Sequence, residues 1–106
     1  MLRDQRDHIL RMIAQAAAAI ARLREMLTGG TAAEEIVRQA QAAQTELLGK
    51  DAMLLRMLDP KSAAHALGDA KRQEQWKELL LIEAEALRRA GRVAEAEALE
   101  GKAGQL

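Results

Sequence analysis

Residues 85–100 read EALRRAGRVAEAEALE. Two stretches of helix-forming Ala, Leu and Glu meet at Gly91, a residue that accepts the left-handed conformation at which helices commonly end. The spacing predicts a helix running into Ala90, a stop at Gly91, and a last helix from about Val93 to Ala103. Val93, Ala96, Leu99, Ala103 and Leu106 are expected to face inward from it. The same grammar holds upstream. Ile9, Ile13, Ala16, Ile20, Leu23 and Leu27 recur at alternating steps of four and three, which is one face of a helix from about Asp4 to Leu27. Met12, Ala19 and Met26 widen that face. Gly29-Gly30 ends the helix, and Thr31 with Glu34 has the spacing of a capping box for the next one. That helix is expected to run to about Leu48, with Ala33, Ile36, Val37, Ala40, Ala43 or Gln44, and Leu47 inward, and to stop at Gly49. A loop this short makes its two helices antiparallel neighbours.

The middle of the chain is more broken. Asp51 is placed to cap a short helix, DAMLLRMLD, whose Met53, Leu54, Leu55, Met57 and Leu58 are apolar nearly all round. So short a helix is not stable alone, so it is expected to be buried across the others or in an oligomer contact. Asp59-Pro60 is a helix-start signal, because proline at the first helical position forfeits an N–H that has no partner there anyway. The two turns that follow stop at Gly68. Asp69 is placed to cap a long helix to about Ala90, with Trp76, Leu79, Leu80, Ile82, Ala86, Leu87 and Ala90 on its apolar side. Trp76 reads as core, with an interface anchor as the alternative, and Leu81 falls off the stripe, exposed or covering a partner.

Composition agrees with an all-α fold. Of 106 residues 23 are Ala, the strongest helix former, while Phe and Tyr are absent and Trp occurs once, so the residues that favour strands are scarce. A chain of this length fits one domain. Residues 1–106 are read as a single helical domain, with a hairpin at about 4–48, linker helices at about 51–67 and a second hairpin at about 69–103.

Chemistry is bounded mostly by exclusion. Sixteen basic and sixteen acidic residues cancel, whereas nucleic-acid binders usually carry a basic excess. The absence of Cys removes disulfides and thiolate metal sites. His8 and His65, the two histidines, lack the convergent ligand spacing of a metal centre and read as surface residues. Ser62 lies at a helix start without the turn that would activate it, and helix-start hydrogen bonding accounts for it. Glu34-Glu35 and Glu95, Glu97 and Glu100 suit helix dipoles and ion pairs, with supporting spacing from Glu34 to Arg38 and Glu85 to Arg89. No run approaches the length of a membrane span, and the N-terminus lacks a signal-peptide core. These readings predict a non-enzymatic cytoplasmic protein with no metal or other cofactor and no membrane contact.

The stretch around Gly91 resembles a tetratricopeptide repeat, a pair of antiparallel helices with small and large residues at fixed places. Leu80, Ala84, Leu87, Gly91, Ala96 and Ala103 match that pattern. Glu83 stands where the repeat has a Leu, Glu100 where it has an aromatic, and no closing Pro follows. The whole chain also resembles a family of small bacterial proteins of uncharacterised function with tetratricopeptide-like ends. The resemblance rests on DHILRMIAQ, LLGKD, the Leu-rich linker and the terminal hairpin. It implies a bundle or short stack of hairpins and no activity.

The leading expectation is a protein–protein interaction or scaffolding module. If the terminal hairpin behaves as a repeat, Glu78, Leu81, Glu85, Arg88 and Arg89 would face the partner, with an acidic group engaging Arg88 or Arg89. A homodimer through MLLRML and Leu81 is the expected form of self-association. The alternative is a helix–turn–helix regulator of DNA, since SAAHALGDAKRQEQWKEL resembles that motif. Asp69 and Glu74 stand where the motif places apolar residues, and with the zero net charge they weigh against it.

Overall fold

The computed structural model describes residues 2–106, with side chains from Asp4 onward; residue 1 of the 1–106 domain lies outside the described residues. The described residues form a small all-α bundle of six helices: α1 (Leu2–Thr28), α2 (Ala33–Leu48), α3 (Ala52–Met57), α4 (Pro60–Leu67), α5 (Ala70–Arg89) and α6 (Val93–Gly104). A single 3-10 turn, Gly49–Asp51, leads into α3.

Both hairpins turn where the glycines place them. Gly91 has φ +83°, its N–H donates to Arg88 O, and the Arg92 N–H reaches back to Leu87 O at 2.8 Å. That pair of bonds satisfies the last carbonyls of α5 in the manner of a Schellman motif. Gly30, also at φ +83°, repeats the longer bond through Thr31 N–H to Met26 O. The two turns lie side by side, because Arg92 bridges Glu34 at the start of α2 and Glu95 in α6.

Helix α5 is the centre of the molecule, packed against α1, α2, α4 and α6. Trp76, Leu79, Ala84 and Ala86 have no exposed surface, and Leu80 and Leu87 almost none. Ile36, Val37, Ala40 and Leu47 of α2 meet them from one side, and Ala96 and Ala103 of α6 from another. Small residues at these contacts let helix axes approach closely, which is what the alanine-rich composition supplies. Ala16, Ala19, Ile20 and Leu23 carry the α1 side of the core.

Three expectations are corrected. The capping box at Thr31 does not form: α2 begins at Ala33 with Ala32 as its uncapped N-cap, and Glu34 turns outward to Arg92. Accordingly Arg38 pairs with Glu35 rather than Glu34. Asp51 does not cap α3, since it sits in the 3-10 turn at φ −95°, ψ 13°, away from the extended geometry a cap requires. Ile9 and Ile13 are only half-buried and Val93 is exposed, because burial on α1 begins at Ala16 and α6 docks through its alanines. Of the MLLRML segment, expected against the other helices or in an oligomer contact, only Leu55 is buried within the single chain. The caps at Asp59 and Asp69 form, accepting from Ser62 N–H and Arg72 N–H.

Candidate functional site

The five residues expected to face a partner lie on one outward strip of α5, as their spacing requires. Leu81 at its middle is 43% exposed. The charged members are already engaged within the chain. Glu78 pairs with Arg24 of α1 at 2.7 Å, and Arg89 meets Glu85 at 3.0 Å. Arg89 also donates to the Leu27 carbonyl at the end of α1, a helix terminus where a cation complements the dipole. Arg88 is held in a two-pronged pair by Glu100 of α6, at 2.5 and 3.1 Å. That pairing raises the Arg88 pKa and lowers that of Glu100, in each case chiefly through their hydrogen bonds. The structure therefore brings the strip together as a surface between α1 and α6 with Leu81 as its apolar centre.

A second surface is more apolar. On α3, Met53 is 79% exposed, Leu54 58% and Met57 80%. A shallow depression beside them is lined by Met53, Met57, Ala52 and Gly49, with Thr45 and Arg56 at its edge. Helix α3 touches α2, the 3-10 turn and α4 through one face only, which leaves the rest of an all-round apolar helix uncovered.

A third feature is a cleft of about 380 Å³ between α2, α3, α5 and α6. Glu83, only 6% exposed, lies in its wall and accepts hydrogen bonds from Gln44 Nε2 at 2.6 Å and Gln41 Nε2 at 3.0 Å. Arg56 and Lys102 line the same cleft. Arg56 donates to the Gln41 carbonyl and to Thr45 Oγ1. Lys102 donates to the Arg56 carbonyl and rests over the buried Trp76 ring, 4.9 Å from its centroid, a cation–π contact. Burial, and then the charge of Arg56, lower the Lys102 pKa. Glu83 was visible in the sequence only as a departure from the repeat pattern. Its partners lie on other helices, so no local spacing could signal them.

Among the described residues no cluster of three or more His, Asp or Glu is placed to hold a metal ion. His8 and His65 are exposed, and Ser62 lies beside the Asp59 cap. Helix α5, which the DNA-binding alternative would place in a groove, is the most enclosed helix, and its Arg72 and Gln73 donate to the Leu47 and Ala64 carbonyls. No described helix is long and apolar enough to cross a membrane. Comparison of the chain with family models, characterised proteins and solved structures gives no match.

Proposed function

We propose that this chain is a non-enzymatic protein–protein interaction module, a tetratricopeptide-like scaffold of the bacterial cytoplasm, whose principal contact is α3. The observation that carries this reading is the exposure of Met53, Leu54 and Met57 together on one short helix. Contiguous exposed apolar side chains on a small protein mark an interaction surface, and methionine in particular adapts to a partner's contours. A second copy of the chain is the simplest partner, since closed two-fold dimers are the commonest assembly. The strip of Glu78, Leu81, Glu85, Arg88 and Arg89 is a secondary contact, with Leu81 as its anchor and the arginines exchanging Glu100 and Glu85 for an acidic group on the partner.

Light scattering coupled to size exclusion tests the reading. The wild-type chain is expected to run as a dimer, and Met53→Glu with Met57→Glu as a monomer. Its helical circular dichroism should match wild type, because Met53 and Met57 contribute little to the core of the single chain. A monomeric wild-type chain refutes self-association through α3. Capture assays with Leu81→Ala and Arg88→Ala together test the strip, which is rejected if capture is unchanged.

A further inference from the structure

The repeat pattern places a leucine at position 83, which would bury no charge. The chain instead buries a carboxylate, which is expensive unless its charge is compensated. Two neutral amides supply its hydrogen bonds, and among the described residues it has no ion-pair partner. Arg56 and Lys102 share the cleft with it. Two cations against one carboxylate leave the cleft with a net charge of one positive unit. Leu80 and Leu99 provide the apolar part of its wall.

We propose that this cleft binds a small amino or hydroxy acid, its carboxylate held by Arg56 and Lys102 and its amine or hydroxyl donating to Glu83. The donors and acceptors remaining in the cleft fit that division. Each Glu83 oxygen accepts one bond from glutamine and retains capacity for another. Only one Arg56 amino group is committed, which leaves the guanidinium able to meet a carboxylate. Lys102 uses one proton on the Arg56 carbonyl and keeps two. A cleft of about 380 Å³ lies within the range of small-molecule sites. The Glu83 charge already acts against the burial and the Arg56 charge that depress the Lys102 pKa, and a ligand carboxylate would act in the same direction.

The fold carries its own reporter, because Lys102 covers the ring of the single tryptophan. Trp76 fluorescence of the full chain is to be titrated with γ-aminobutyrate, γ-hydroxybutyrate, butyrate and butylamine. The first two are expected to saturate the signal, butyrate to bind about tenfold more weakly for want of a donor to Glu83, and butylamine not to bind. Glu83→Gln should weaken γ-aminobutyrate more than γ-hydroxybutyrate, since an amide oxygen still accepts but carries no charge, and Lys102→Gln should weaken all acids about tenfold. The proposal is overturned if none of the acids binds by ~10 mM. It is also overturned if butyrate matches the two bifunctional acids. Should Glu83→Gln fail to fold, the wild-type comparison of the four probes and the half-exposed Lys102→Gln variant still decide.

Discussion

At the scale of single residues, Glu83 and Glu100 differ in kind although both interrupt the same repeat pattern. Glu83 is enclosed, and its partner Gln44 is only 3% exposed. Glu83→Leu would strand that amide in the core and should cost about 1–3 kcal/mol in urea unfolding. Adding Gln44→Leu removes the stranded group, and the double variant should recover most of the loss. Glu100 lies at the surface, where Arg88 holds its carboxyl below the ordinary carboxylate range. A depressed folded-state pKa gives stability that is present above the unfolded-state value and is lost as pH falls through the folded one. Arg88→Gln should therefore return the Glu100 titration, followed by carboxyl NMR, to the ordinary range and remove this share of acid sensitivity. Both glutamates were legible as departures from a pattern. What each does was not, since the partners lie on α2 and α6 and only the folded chain brings them within reach.

At the scale of helices, stop signals were more legible than caps. Gly30, Gly49, Gly68 and Gly91 all take positive φ and end the helices that the sequence says they end. Two of four caps formed. Asp59 and Asp69 have extended backbones and reach the third residue onward. Thr31 and Asp51 do not, because each follows a glycine turn that changes where the next helix begins. The difference is measurable: Asp69→Ala should cost about 1 kcal/mol, whereas Thr31→Ala should fall within about 0.5 kcal/mol of wild type. Long side chains of α5 do other capping that sequence spacing could not reveal. Arg72 and Arg89 donate to the Leu47 and Leu27 carbonyls at 2.6 Å, tying the ends of α2 and α1 to the central helix. Helix α3 illustrates the limit from the other side. Its apolar circumference predicted burial against the bundle or in an oligomer contact; a six-residue helix on the edge of a bundle offers one face to its neighbours, and three large side chains stay outside the single chain.

At the scale of the whole molecule, Trp76 heads the largest fully buried side chains. It is fully enclosed where α5 meets its neighbours, with Lys102 of α6 across its ring. Trp76→Ala should cost about 3–5 kcal/mol, a large share of the ~5–15 kcal/mol that holds a domain folded, read as a lowered midpoint of urea unfolding by circular dichroism. The all-α class and the two hairpins were legible because each depends on neighbours close in sequence. The choice of α5 as the central helix was not, since α2 and α5 find each other across the middle segment through alanine and leucine surfaces that many helices could present. That division between near and distant contacts also sets an order of events in time. Helix formation and the closure of short turns are fast elementary steps, on the order of microseconds or less. Each hairpin can therefore assemble before the other is in place, and the slow step is the encounter of α2 with α5, for which the chain between Leu48 and Ala70 must fold back on itself. The short, partly uncovered helices of that segment thus act as the tether whose reach and stiffness govern how quickly the protein becomes whole.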